Sequence, residues 1–265
     1  MPPAKKRPRT YDPKKTAAAI RAQFAAVREA AKALTPEQLA GPTHLRPWTV
    51  RELLVHIDMA VSAVVRHIDE PEPPKPELGL LDWPSATFPF AGALAEVVPE
   101  LASRAPDELD ELFARTTADL DDRLAKSDPH RTLATRLGAM DLNDFLVTRT
   151  VELVVHTDDL NRAAGIDVPF DRQALAACTR FLADALAAKA PGGATEVRIP
   201  PYAVVQCVEG PRHTRGTPPN VVETDPLTWV RLATGRTDWA TALDEAKVTA
   251  SGERADLSTL LPVMS

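Results

Sequence analysis

Two stretches of this chain, one hundred residues apart, repeat a single helical turn almost position for position. Glu52-Leu53-Leu54-Val55-His56-Ile57-Asp58 is echoed by Glu152-Leu153-Val154-Val155-His156-Thr157-Asp158. Around the second copy, Phe145, Leu146, Val151, Val154, Val155 and Leu160 recur at helical spacing, so residues 145–162 read as an amphipathic helix. A Glu and a His four apart share one face of such a helix, one turn apart, and can lean toward a common divalent ion. Two helices bearing the same turn fit a bundle in which they face each other across the core, with His56 as a third ligand. Two readings stay open on the residues alone: a metal site, or histidines satisfied within an apolar core.

Capping separates the two copies. Thr49 and Glu52 have the spacing of a capping box, in which hydroxyl and carboxylate satisfy the exposed amides of a helix's first turn. That gives Glu52 a structural task, whereas His56 has none. His67 lies on the same face as His56, but eleven residues at about 1.5 Å each put it three turns away, too far to share an ion.

RPWTVRELLVHIDMA (46–60) followed by RTVELVVHTDDLNRAAG (149–165) resembles the mycothiol-dependent maleylpyruvate isomerase family, within the DinB-like superfamily of metal-binding helical bundles. The family's pattern is a Trp before a helix bearing one His, then a helix reading R-x-x-E-L-x-x-H-x-x-D-L. Trp48, His56, Arg149, Glu152, His156 and Asp159 stand at those positions. The resemblance spans roughly residues 15–192. It implies a DinB-like four-helix bundle, a divalent metal (zinc) held by His56, Glu152 and His156, and mycothiol, an actinobacterial analogue of glutathione, as cosubstrate. Arg149 and Asp159 are expected behind the ligands, Asp159 either as an acceptor that orients the imidazole of His156 or simply solvated. Asp158 departs from the pattern, standing where the family commonly has an aromatic residue.

Along the rest of the chain, helices are expected from about residue 13 to 34, from Thr49, over about 93–126 with a break near Ala105-Pro106, over 141–164 between an Asp141 cap and a Gly165 stop, and over about 170–189. Between them, PEPPKPELGLLDWPSATFPFAG (71–92) holds too many prolines for one regular element and is too apolar for a free linker. It reads as a lid packed over the bundle through Leu80, Leu81, Trp83, Phe88 and Phe90. Asp128-Pro129 and Gly138 mark a connection.

After Pro191-Gly192-Gly193 the texture turns α+β: strands in TEVRIPPYAVVQCV and NVVETD, a helix from an Asp225 cap to Gly235, a short helix (237–247), a strand at 248–252 and a last helix from Asp256. This segment resembles the bacterial sterol-carrier-like domains. The expected division is a disordered basic tail (1–13), the metal-binding bundle (14–192) and a small sterol-carrier-like α+β domain (193–265). EGPRHTRGTPPN (209–220) is either a solvated loop or an anion-recognition loop; in the second reading Arg212 and Arg215, with Arg236 after the helix stop, bind substrate.

The net charge of −6 argues against general nucleic-acid binding, leaving AKKRPRTYDPKK (4–15) as the one basic segment. No apolar run approaches the ~20 residues of a membrane span. Cys178 and Cys207 are too few for a disulfide framework and are expected as buried free thiols in a cytoplasmic protein. Two His and one Glu leave zinc an open position, which suits catalysis. The expected partners are a small-molecule thiol and an electrophile, in isomerisation or thiol transfer. A non-catalytic metal-containing binding protein and a zinc hydrolase that activates water need the same ligands, and the sequence does not separate them.

Overall fold

A computed structural model describes residues 9–264 apart from 88–90, 212–215 and 217. Four long helices close a ring: α1 (Pro13–Lys32) packs on α7 (Leu142–Ala164), α7 on α3 (Val50–Asp69), α3 on α6 (Leu109–Lys126) and α6 on α1. Their ends are set locally. Asp12 and Asp141 accept amide hydrogen bonds at the starts of α1 and α7, and Gly165 ends α7 in the left-handed conformation (φ 66°) that favours glycine. Thr49 and Glu52 form the expected capping box at the start of α3. The core is continuous through Ile20, Phe24, Leu53, Ile57, Phe113, Leu120, Leu153 and Phe181, all essentially inaccessible to solvent. α2 (Pro36–Ala40) fills what reads in sequence as a plain turn.

Within the Pro-rich segment (71–92), a 3-10 turn (Leu80–Asp82) and α4 (Trp83–Thr87) form, with Trp83 buried. Phe88 and Phe90, expected to pack with it, lie outside the described residues. α5 (Ala91–Arg104) rests on α3 and is separated from α6, so the expected break at Ala105-Pro106 divides two helices. A hairpin of β1 (Thr132–Thr135) and β2 (Gly138–Asp141) precedes α7; the sequence suggests only a connection there. The basic segment is anchored from Arg9 onward, where Arg9 pairs with Asp184 at 2.8 Å and the Tyr11 carbonyl accepts from Asn143. Residues 1–8 of the expected tail lie outside the described residues.

α8 (Arg172–Lys189) packs on α1 and α7 on one side and on the second unit on the other. That unit is a four-stranded sheet in the order β4-β3-β5-β6, formed by Thr195–Ile199 (β3), Ala203–Cys207 (β4), Val221–Thr224 (β5) and Val248–Ser251 (β6). β3 runs parallel to β5, and the other pairs are antiparallel. α9 (Pro226–Ala233), capped by Asp225, packs on α8, and α10 (Trp239–Asp244) follows. At the α8–sheet junction, Gly192 (φ 153°) passes so close to Val208 that a Cβ would sit 1.9 Å from its carbonyl oxygen. The expected last helix from Asp256 does not form. Residues 258–260 make only a turn, because Pro262 follows within two residues and removes the next amide donor. Cys178 and Cys207 are free and buried. Among the described residues no helix is long and apolar enough to cross a membrane.

Candidate metal centre

α3 and α7 pack directly, and their matching turns meet. His56 Nε2 lies 3.1 Å from His156 Nε2; Glu152 Oε2 lies 3.1 Å from His156 Nε2 and 3.5 Å from His56 Nε2. Both histidines are buried. The Trp48 ring leans on His56 with centroids 4.9 Å apart, and the two imidazoles meet edge to face at 4.7 Å. Glu52 is not in this group. Its carboxylate is held at the helix start, accepting from the Thr49 amide at 2.6 Å. His67 lies against Phe145, ring centroids 5.5 Å apart, at the far end of the same seam.

His156 is held from behind. Its Nδ1 lies 3.0 Å from Asp159 Oδ2, and the same carboxylate receives Arg236 Nη2 at 2.9 Å and Nε at 3.2 Å. Burial alone would raise the Asp159 carboxyl, but the hydrogen bonds from His156 and Arg236 hold it well below the usual range. An ionised Asp159 only accepts, so His156 carries its proton on Nδ1 and turns the Nε2 lone pair to the site. Burial opposes the charge of Glu152 too, yet the two imidazoles and the Arg149 guanidinium keep it ionised. Two imidazole nitrogens and a carboxylate oxygen thus converge on one point. The three atoms suit a tetrahedral divalent ion: bonds of about 2.1 Å space such ligands by about 3.4 Å, close to the observed edges.

Two arginines of the second unit reach the end of α7. Arg236 takes Asp159, and Arg231 takes Asp158 with two bonds of 2.6 and 2.8 Å. Asp158 is thus one end of an ion pair between the units. Asp58, its counterpart on α3, has no partner for its Oδ1 among the described residues, and burial pushes its carboxyl up to about 6. Sequence reasoning did not find Arg231, which lies in the last turn of α9, five residues before Arg236.

The converging atoms line a cavity of about 450 Å³, a size that suits a small-molecule ligand. Trp83 and Leu78 contribute from the Pro-rich segment, Leu137 and Met140 from the hairpin, and Thr234 and Met264 from the second unit. Of the arginines expected to contact substrate, Arg236 lines the cavity with its guanidinium engaged by Asp159, while Arg212 and Arg215 lie outside the described residues. Arg149 also lines it, 4.8 Å from the Phe145 ring centroid.

Glu52→Gln should leave metal content unchanged and cost at most about 1 kcal/mol, since Gln can still close the capping box. Metal analysis and thermal unfolding check this; loss of metal would make Glu52 a ligand.

The sequence model for "Mycothiol maleylpyruvate isomerase N-terminal domain" matches residues 20–161, and that for "Bacterial SCP ortholog" matches residues 171–263. Among solved structures, the crystal structure of the mycothiol-dependent maleylpyruvate isomerase is 16% identical with a TM-score of 0.60. The match covers 93% of this chain and 95% of that one. A mutant of that enzyme with one histidine replaced by alanine is 15% identical over the same shares, with a TM-score of 0.61. At these identities the likeness is one of fold. No curated protein sequence matches the chain.

Proposed function

The chain belongs to the mycothiol maleylpyruvate isomerase family, and from that premise we propose that it is a metal- and mycothiol-dependent enzyme of the isomerase type. The observation that supports this most directly is the convergence of His56 Nε2, His156 Nε2 and Glu152 Oε2, all within 4.8 Å of one another, on a cavity open to a small ligand. These three residues hold the metal. Zinc fits best, because a set of two imidazoles and one carboxylate is the catalytic zinc pattern and leaves one position open. A divalent ion held there lowers the pKa of a thiol or water that joins it.

The chain's own groups perform the remaining tasks. Asp159 fixes the His156 tautomer and ring orientation, and Arg236 fixes Asp159 from the other unit. Trp48 holds the His56 ring in place. The apolar walls (Met59, Trp83, Leu137, Met140) exclude water around an incoming thiol, so that the thiol and not hydroxide attacks an electrophilic carbon. Isomerisation, or transfer of the thiol to the electrophile, follows from that attack.

The test uses the full-length protein. One divalent ion per chain is expected, and after cobalt substitution a thiolate-to-cobalt absorption band should grow on titration with mycothiol. A protein that binds no stoichiometric metal, or whose cobalt spectrum ignores the thiol, would overturn the reading. Hydrolysis that proceeds without any thiol would point to water as the nucleophile.

A further inference from the structure

Among the described residues, the second unit gives the cavity Thr234, Arg236 and Met264. Two of these side chains are already engaged. The Thr234 hydroxyl donates to the Val230 carbonyl at 2.7 Å, and the Arg236 guanidinium is held by Asp159 and the Thr234 carbonyl. Met264 has no polar side-chain group to commit, and it is half-buried against the core. Of the three, it is the side chain free to meet whatever the cavity holds. Methionine suits such a place, because its unbranched, polarizable thioether fits itself to irregular surfaces.

Met264 is brought there by Leu260-Leu261-Pro262-Val263-Met264, a segment without one polar side chain. Such a segment can be held only by its backbone groups and by burial of its apolar side chains. Both are visible. Lys189, in the last turn of α8, donates to the carbonyls of Leu260 at 2.9 Å and Pro262 at 2.8 Å. The amides of Val263 and Met264 both donate to the Ala233 carbonyl, at 2.8 and 3.0 Å. Ala233 is the last residue of α9, so its carbonyl has no partner within that helix. Pro262 has no amide to offer, and its ring lies over Gly235, where an added Cβ would stand 3.7 Å away. Leu260, Leu261 and Val263 pack against the core. The segment therefore joins α8, which rests on the bundle, to α9 of the second unit, and it reaches the cavity at its last step.

We infer that residues 260–264 form a strap across the junction of the two units, and that Met264 is the specificity-determining side chain that limits the bulk of a ligand at that end of the cavity. Lys189 is the positioning residue that holds the strap. The part of the ligand that meets Met264 is apolar, since methylenes, a thioether sulfur and a methyl group are all it presents. Met59, Ala63, Val151 and Val155 line the cavity from α3 and α7, whose backbones are fixed by packing on each other. Met264 instead sits on a strap held by hydrogen bonds to backbone groups, so the room it leaves depends on Lys189. For the identity of the ligand this inference rests on the thiol-dependent reading, whereas the wall and its latch do not.

Two measurements on full-length protein test this. Cys178 and Cys207 are buried, and burial pushes both thiols up, that of Cys207 to about 11. In Met264→Cys the introduced thiol is therefore the reactive one. Methyl and benzyl methanethiosulfonate carry the same neutral reactive group and differ in bulk. The introduced thiol should favour the methyl reagent roughly tenfold more than free cysteine does, because a packed wall resists added volume. Lys189→Met should bring the ratio most of the way back to that of free cysteine, and Lys189→Arg, which still donates to carbonyls, should keep it. A free-cysteine ratio with Lys189 intact would overturn the inference. A ratio unmoved by Lys189→Met, even in a less stable protein, would overturn the role of Lys189. In the second measurement, Met264→Trp in cobalt-substituted protein should weaken the mycothiol titration roughly tenfold, with metal content and the ethanethiol titration unchanged. Equal mycothiol titrations of wild type and Met264→Trp would overturn the limit on bulk. If no thiol gives a cobalt band in the wild type, the thiol-dependent reading falls and the labelling ratios still decide the strap.

Discussion

His56→Ala should strip the protein of its divalent metal while leaving its helices in place. His56 is the only contribution of α3 to the converging atoms, and without it one carboxylate and one imidazole of the same helix remain. Two ligands from one helical turn cannot enclose a tetrahedral ion, so affinity should fall by more than the ~10–100-fold that losing an outer partner costs. The fold should survive, because the α3–α7 seam is packed above and below the site by Leu53, Ile57, Val61, Leu153 and Leu160. The new void lies beside Trp48 and costs on the order of 1–3 kcal/mol. Metal analysis on dialysed protein, with circular dichroism alongside, gives the answer. A variant that keeps full occupancy would remove His56 from the site and, with it, the case for the metal centre. Thiol-dependent activity should vanish together with the metal.

Arg236→Ala should have the next largest effect, and at a distance. The substitution leaves the Asp159 carboxylate buried, 1% exposed, with His156 as its remaining donor. Removing one partner of a buried ion pair costs about 3–5 kcal/mol, and the surviving hydrogen bond from His156 places this case near the lower figure. Metal affinity should drop ~10–100-fold, because the acceptor that orients His156 is no longer held. Arg231→Ala is the control. It breaks the neighbouring pair with Asp158 and loosens the same contact between the units, but Asp158 does not touch a histidine. Arg231→Ala should therefore lose stability and keep its metal. If both variants lose metal equally, Arg236 acts only by holding the two units together. If neither does, Asp159 needs no help from the second unit.

The sequence alone determined what depends on neighbours three or four residues away. The Thr49–Glu52 box, the Asp141 cap and the Gly165 stop are interactions within one turn, so the start of α3 and both ends of α7 could be read to within a residue or two. The paired Glu-x-x-x-His turns could be read for the same reason, since four residues on a helix fix a shared face whatever surrounds it. Where no such local signal exists, the reading stopped short. Thr132–Thr135 and Gly138–Asp141 carry little strand propensity of their own and pair because the chain brings them back antiparallel before α7. The turn after Asp256 looked like a helix start because the proline that ends it acts through the missing amide of a later residue.

Tertiary structure decided the partners of the charges. Asp58 and Asp158 hold equivalent places in the two matching turns, yet one faces α6 with Arg66 and Arg115 near it but in no close ion pair among the described residues, and the other meets Arg231 across the contact between the units. Arg236 reads as a substrate contact when only its place after a helix stop is known. In the folded chain, 77 residues of sequence separation collapse to a 2.9 Å bond with Asp159. Arg149 moves the other way, from a residue behind the ligands to a guanidinium that lines the cavity beside them, over the Phe145 and Trp83 rings. Long-range ion pairs leave no mark on local periodicity, because the free energy that selects them is desolvation of both groups at once, and burial is a property of the packed chain.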